Sequence, residues 1–425
     1  MNERAAQEGN TPAATRPPPS SPSISHANNK TPEKGHQRKK YRNQRQKGRG
    51  GMHYCNRKFQ GSASVVEQSC GVVAGSVSIM SYNVLANEYA QTHVNELYST
   101  VPKACLRWHT RATLIAKEIQ HWSPDIVCLQ EVDRYNHLKS LLTSHGYVGR
   151  YLKRPNGRPD GLAMFWKRHK FDVIESKDVV YAGLGLRDNV AQIYRLRCRH
   201  IDGTERDGDC DVVISNIHVL FNPKRGDIKL GQIRVLLDAI SKVSGEGRVH
   251  PIVMCGDYNS APHSCLYEFI EAGFLDFLRC DRRHISGQIA DSRPKQIVKI
   301  PKQSKPWKEE EIFLATGMKE EEFVDEDDIA YGTLRHTFQL KSSYRAVLGE
   351  EPIFTTAHDK YVGTVDYIFY SCPQEEGGLW SMVPTQVLHP PQRGAQAIVP
   401  KGLPHGFWPS DHICIMTRFD IVRRN

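Results

Sequence analysis

From Val77 onward, apolar runs of strand length alternate with longer stretches whose apolar residues recur every three or four positions. Residues 77–82 read as a strand. Residues 111–122 read as a helix with Leu114, Ile115, Ile119 and Trp122 on one face, stopped by Ser123-Pro124. The run 125–129 is a buried strand, and 161–166, 189–196 and 212–218 are further strands. Residues 228–240 form an amphipathic helix whose face carries Ile233, Leu236, Leu237 and Ile240. A strand at 251–257 enters a turn, a short helix follows at 264–271, and strands at 364–370 and 412–421 close the series. Such alternation predicts an α/β domain. Residues 281–335 break the pattern, basic over 282–308 and acidic in clusters over 309–328. They read as an insertion of surface helix or loop, either an excursion without function or a gate for substrate. No internal repeat is visible.

The polar residues that interrupt these runs fall at the strand ends. In order they are Ser81-Tyr82-Asn83, Leu129-Gln130-Glu131, Asn216-Ile217-His218, Gly256-Asp257-Tyr258-Asn259, Val365-Asp366-Tyr367 and Ser410-Asp411-His412. Strands that deliver carboxylates, amides and imidazoles to one sheet edge can build a hard-cation site for phosphate esters, because Mg²⁺ prefers oxygen ligands and shares sites with phosphates. Glu131 is the leading metal ligand, since a bare charge at the end of an apolar segment is costly unless paired or metal-bound. Asp257 and Asn259, two residues apart on one side of a strand continuation, suit a metal or water and a phosphate oxygen, with Gly256 allowing close approach. Asp366 and His412 suggest a carboxylate–imidazole pair that keeps the ring cationic toward phosphate, and His218 is a second imidazole at a strand end. No G-x-S-x-G elbow, phosphate-binding P-loop or dinucleotide fingerprint is present.

Charge adds a second region. The formal net charge of +10 lies almost entirely in residues 1–75, which carry 13 Lys/Arg against 4 Asp/Glu. The remainder is near neutral, so it needs a local groove or a metal to hold a polyanion. With Pro17-Pro18-Pro19 and a basic run containing Arg38, Lys39, Lys40, Arg42 and Arg45, residues 1–75 are expected to be a disordered tail. The basic run is either an RNA-contacting or nuclear-import segment or a plain solvated tail. Residues 76–425 form the expected catalytic domain. The 11 Cys lack C-x-x-C spacing, which argues against a zinc site or a disulfide framework. No run reaches membrane-span length, and no apolar block opens the chain. Cytoplasm and nucleus are the expected locations, with an organellar leader left open.

The stretches MSYNVLA, PDIVCLQEVD, DGLAMFWK, SNIHVLFNPKRGDIKLGQ, PIVMCGDYNSAPHSCLY, GTVDYIFYS and PSDHI, spanning residues 80–413, resemble the endonuclease/exonuclease/phosphatase superfamily. Within it they are similar to carbon-catabolite-repressor-type deadenylases and their Angel and nocturnin relatives. The resemblance implies a four-layer α/β sandwich, two β-sheets flanked by helices, with a metal site at the sheet edges. It implies Mg²⁺, with Mn²⁺ as a substitute, held by Glu131 with Asn83 beside it, and with Asp411 and Asp257 completing the surroundings. Asp257 would activate or protonate, His218 and His412 would contact the scissile phosphate, Asp366 would orient His412, and Asn259 would meet phosphate or base. Pro223, Tyr361 and Thr356 fall where deadenylases hold the base, although Thr355-Thr356-Ala357-His358 looks Angel-like. The implied activity is a 3′-to-5′ exoribonuclease that shortens poly(A) and releases 5′-AMP, with RNA 3′ ends and components of the CCR–NOT complex as partners. A leucine-rich repeat is absent from the chain. The alternatives are an RNA 2′,3′-cyclic phosphatase of Angel type, a phosphatase of small phosphoesters, and a non-catalytic RNA-binding protein.

Overall fold

The computed structural model describes residues 57–61, 71–199, 210–245, 250–289, 306–319, 331–372, 378–390 and 402–424. All of them lie in the unit Gly51–Asn425. Two mixed sheets stack face to face. The first holds, in spatial order, β1 (Phe59–Gly61), β16 (Trp380–Leu388), β17 (Ile415–Arg423), β2 (Val72–Asn83), β3 (Ile126–Gln130), β5 (Gly161–Lys167) and β4 (Tyr147–Lys153). The second holds β12 (Leu340–Ser342), β15 (Asp366–Ser371), β9 (Ile252–Asp257), β8 (Asp211–His218), β7 (Val190–Cys198) and β6 (Phe171–Val180). Two small hairpins pair β10 (Phe274–Asp276) with β11 (Thr333–Arg335) and β13 (Thr356–His358) with β14 (Tyr361–Gly363).

Within each large sheet a single pair of neighbours is parallel, β2 with β3 and β8 with β9. Parallel neighbours require a crossover. The first crossover contains α1 (Asn87–Thr92), α2 (Val94–Leu97) and α3 (Trp108–Trp122), and the second is α5 (Gly226–Ser244). α4 (Tyr135–Thr143) lies beside α3, so Ile115, Ile119, Leu138 and Leu142 cover the outer face of the first sheet against Met80, Val127 and Leu129. α5, α6 (Cys265–Ala272) and α7 (Glu309–Thr316) cover the outer face of the second, with Ile233, Leu236 and Phe269 among Ile193, Val213 and Met254. Between the sheets, Ile79, Cys128 and Met164 meet Ile214, Cys255 and Ile368. α8 (Ser343–Leu348) adds Tyr344 and Val347 to that middle layer. Helix–sheet–sheet–helix is the expected four-layer order.

Two boundaries differ from expectation. Part of the stretch assigned to a tail belongs to the domain: β2 begins at Val72, and Phe59–Gly61 pairs with β16. Arg57, buried, donates to the carbonyls of Leu388, Cys414 and His389 and faces Glu118 at 3.6 Å. Arg38, Lys39, Lys40, Arg42 and Arg45 lie outside the described residues. The described parts of 281–335 are packed rather than loose. Ile312 and Ala315 of α7 lie in the core, where a Cβ on Gly231 of α5 would meet the Leu314 carbonyl at 2.1 Å. The nine described cysteines are all free, as the absence of a framework spacing predicts. Among the described residues, no helix is long and apolar enough to cross a membrane.

Candidate active site

Strand direction gathers the polar residues. The carboxyl ends of parallel β2 and β3 present Asn83 and, one residue past the strand, Glu131; those of β8 and β9 present His218 and Asp257, which are direct register partners. β15 runs antiparallel to β9, so its first residue, Asp366, stands opposite Asp257. β17 runs antiparallel to β2, with Ile415 opposite Ser81, so Asp411 and His412 enter at the same edge. Gly256 makes the β8–β9 approach possible, because a Cβ there would meet the Ile217 carbonyl at 2.3 Å. Six strand ends from distant parts of the chain thus meet across both sheets.

Asn83, fully buried, joins the two halves: its Nδ2 donates to Oε1 of Glu131 at 3.1 Å and to Oδ2 of Asp257 at 3.0 Å. Glu131 adopts φ 56°, which turns the chain out of β3, and its Oε2 accepts the Ala86 N–H at 3.0 Å. Burial, then the charges of Asp411 and Asp160, push its carboxyl up to about 8. Among the described residues it has no ion-pair partner. Asp411 accepts from the Tyr98 hydroxyl at 2.9 Å, and the neighbouring Ser410 hydroxyl donates to the Asn83 carbonyl at 2.6 Å.

The other half contains its own cation. His412 Nδ1 bonds to Asp366 Oδ2 at 2.8 Å, and its Nε2 lies 3.7 Å from Asp257 Oδ2. Burial alone would lower this imidazole, but the charge and hydrogen bond of Asp366, followed by Asp257 and Asp411, hold it well above the ordinary histidine range. His218 approaches the same Asp257 oxygen at 3.5 Å and is driven the opposite way, by burial and then by the charges of Arg154, His412 and Lys229. Asp257 is pushed up to about 7 by burial and Asp366, against the relief of His412, Asn83 and the Asn259 N–H. The site therefore sets a cationic and a neutral imidazole around one carboxylate near its midpoint at neutral pH.

Several expected substrate contacts differ. Asn259 does not continue the strand. It sits at φ 46°, donates its backbone N–H to Asp257 Oδ1 at 2.9 Å and directs Nδ2 to the Val219 carbonyl at 3.0 Å. Thr356, expected beside the base, turns its buried hydroxyl to the Asp411 carbonyl at 3.0 Å, and its backbone bridges to His412, so it braces the Asp411-His412 turn. Tyr361 is partly buried, with its phenol raised by burial and by the charge of Asp257 nearby. Pro223 is half-exposed in the loop before α5, and its carbonyl faces the Ser286 hydroxyl at 3.4 Å.

Other residues complete the site without having been singled out. Asp160 begins antiparallel β5 at the same edge, where it accepts from Tyr89 at 2.7 Å and from Arg154 at 3.3 Å. A carboxylate directly before the apolar strand DGLAMFWK repeats the Asp366 pattern and is a legible signal. Lys229 falls on the α5 stripe of Ile233, Leu236 and Ile240, a cation on an apolar face, and is fully buried. Tyr98, in the first crossover, carries no sequence signal.

Two groups of donors could meet a divalent cation. Asp257, Asp366 and His412 place ligand atoms within 4.8 Å of one another. A protonated imidazole cannot ligate, however, and Nδ1 of His412 is engaged by Asp366. The Glu131 side fits better. It offers hard oxygens, and burial and neighbouring acids disfavour the bare Glu131 anion with no ion pair among the described residues to relieve it.

The model of the Endonuclease/Exonuclease/phosphatase family matches residues 80–412. The chain is 34% identical over 359 residues to carbon catabolite repressor protein 4 homolog 3 of Arabidopsis thaliana, covering 80% of this chain and 74% of that protein. It is also 34% identical over 373 residues to protein angel homolog 2 of Danio rerio, covering 80% and 64%. Among solved structures, ANGEL2, a 2′,3′-cyclic phosphatase in complex with adenosine-2′,3′-vanadate, superposes with a TM-score of 0.66 at 31% identity, covering 86% of this chain and 98% of that one. The human Nocturnin catalytic domain shares the fold at a TM-score of 0.54 and 20% identity.

Proposed function

This chain belongs to the endonuclease/exonuclease/phosphatase family, hydrolases that generally use divalent metals, and from that premise we propose that it hydrolyses phosphate esters at RNA 3′ ends. The leading reading is a poly(A)-shortening 3′-exoribonuclease that releases 5′-AMP. The observation that carries hydrolysis is the pair of imidazoles facing Asp257, His218 held neutral and His412 held cationic, at 3.5 and 3.7 Å.

Each residue then has a task. Glu131, with Asn83 and Asp411 beside it, would hold Mg²⁺, which when bound neutralises phosphate charge and polarises the P–O bond. Asp257, oriented by the Asn83 amide and the Asn259 N–H, takes a proton from the attacking water. Its value of about 7 suits a base at neutral pH. His412, kept cationic by Asp366, places positive charge on a non-bridging oxygen, where it favours the extra negative charge of the transition state. Neutral His218 donates a hydrogen bond from the other side. Tyr361 offers a ring for the terminal base, and such stacking is worth about 1–3 kcal/mol.

A second reading, an RNA 2′,3′-cyclic phosphatase, is favoured by the likeness to ANGEL2 and by the inward-turned Thr356. Both readings are tested by incubating the purified chain with 5′-labelled oligo(A) and with RNA ending in a 2′,3′-cyclic phosphate, with Mg²⁺ or with chelator. A ladder of shortened oligo(A) supports the first reading. A change of end-group mass at constant length supports the second. Activity on neither substrate rejects both.

A further inference from the structure

The active-site turn after β9 is held by a buried lysine that the chemistry above does not use. Lys229 is fully buried in α5, and its Nζ donates to the Asn259 carbonyl at 2.5 Å and to Gln288 Oε1 at 3.0 Å. Asn259 occupies the left-handed region at φ 46°, which a residue with a Cβ adopts only when its surroundings hold it there. From that conformation its N–H reaches Asp257 Oδ1, so the carbonyl that Lys229 grips and the N–H that orients Asp257 belong to one residue. A lysine serving only to fill α5 would be replaceable by an apolar side chain of the same length. This one instead joins polar groups on two separate segments.

The second of those segments is the first described part of the insertion. The Ser286 carbonyl accepts the Ala261 N–H at 2.8 Å, and the Ile285 carbonyl accepts the Leu266 N–H at 3.1 Å. Arg282 donates to the Lys224 carbonyl at 2.9 Å and faces Asp227 at 3.5 Å, and the Ser286 hydroxyl faces the Pro223 carbonyl. Residues 282–288 therefore bind both the turn that follows Asp257 and the loop that carries Pro223, and Lys229 lies between the two.

We propose that Lys229 is a positioning residue for the reaction: it pins the Asn259 turn so that Asp257 is aimed at the attacking water, and through Gln288 it makes that aim depend on residues 282–288. This rests on the phosphoesterase reading for its consequence in rate, though not for its consequence in structure. The expected signature is a loss in kcat with KM little changed, because the base is misaimed while the binding surface remains. A misplacement of about 1 Å can cost on the order of 10²-fold in rate.

The test uses the full chain as wild type, Lys229→Met, Lys229→Arg and Gln288→Ala. Steady-state kinetics on whichever RNA end is turned over are paired with hydrogen exchange of the backbone amides of residues 257–261. Lys229→Met is expected to lower kcat on the order of 10²-fold and to lose amide protection at the turn while the melting temperature holds. Lys229→Arg is expected to recover most of both, and Gln288→Ala to lower kcat by about threefold with a smaller loss of protection. Wild-type kcat and wild-type protection in Lys229→Met overturn the proposal. If Lys229→Met does not fold, Gln288→Ala decides, and wild-type behaviour there overturns it. If wild type turns over neither RNA, the phosphoesterase reading fails, while exchange at the turn still decides whether Lys229 holds it.

Discussion

The two halves of the site treat negative charge in opposite ways. Around Asp257 and Asp366 the chain supplies its own cation, His412, bonded at 2.8 Å. Around Glu131 and Asp411 the hydrogen-bond partners are an amide, a backbone N–H, a phenol and a serine hydroxyl, all neutral; Arg111 and His412 act on Asp411 only through space. The first half has one cation between its two carboxylates, and the second has no ion pair to Glu131 among the described residues. Asn83, whose one amide nitrogen donates to each half, keeps them in register. The difference teaches that proximity of acids does not by itself identify a metal centre: the tight trio Asp257, Asp366 and His412 already contains a cation, and Glu131 has none bonded to it among the described residues.

The largest break in this contrast is Glu131→Gln. It is expected to lower kcat by about 10³-fold, since metal charge stabilisation is worth several kcal/mol. Above the raised Glu131 value of about 8 it is also expected to raise the melting temperature in chelator, because an uncompensated buried carboxylate is removed. Divalent cation would stabilise the wild type through RT ln(1 + [L]/Kd), about 2.7 kcal/mol at a hundredfold excess over Kd, and would leave the variant unmoved. A variant that is both active and cation-stabilised would contradict the assignment of Glu131.

Asp366→Asn attacks the other half. His412 loses its counter-ion, so the imidazolium form is lost at lower pH than in wild type. The expected result is about a 10²-fold loss of rate at neutral pH, with the basic limb of the pH–rate profile displaced to lower pH. A smaller loss, about tenfold, is expected for His218→Gln. Because His218 is already neutral, the limb should stay where it is.

Acid–base linkage gives a test without substrate. Glu131 and Asp257 bind protons more tightly when folded, at about 8 and about 7 against ordinary values of 4.5 and 3.8. A raised carboxyl contributes stability that is full below the unfolded value and is lost as pH rises through the folded one. His412, raised above 6.5, acts in the same direction. Against the opposite pull of His218 and Lys229, whose lowered values cost stability as pH falls, these three groups should make the metal-free protein melt at a higher temperature at pH 5 than at pH 8, and added divalent cation should narrow the gap. The smallest effect is expected from Tyr98→Phe, which removes one hydroxyl from Asp411. A loss of about 1 kcal/mol, or several-fold in cation affinity by calorimetry, is the expected outcome.

Much of the frame was legible in the chain. Residues 212–218 and 251–257 appear as β8 and β9 almost unchanged, and the helix expected at 228–240 lies within α5. β4, β6 and β16 were missed because mixed polar and apolar positions leave no clean period: β6 is exposed along most of its length, and β16 contains Pro384. The tail boundary was misplaced because Arg57 and Lys58 look solvated in sequence, whereas Arg57 is buried against three carbonyls and Glu118. Asn259 was read as strand because nothing local announces its left-handed turn, which Lys229 holds from thirty residues away.

The sequence by itself determined which residues reach the sheet edge, since apolar runs must be buried and the polar residues that end them cannot follow. It also set the pairing of Asp366 with His412, two groups whose chemistry requires a partner. Only the tertiary structure decided that His218 is neutral and His412 cationic, that Thr356 turns inward, and that Glu131 lacks a counter-charge. Those outcomes depend on desolvation and on distances between charges brought together by strands far apart in the chain. Such distances are fixed by the packing of the two sheets and have no local code.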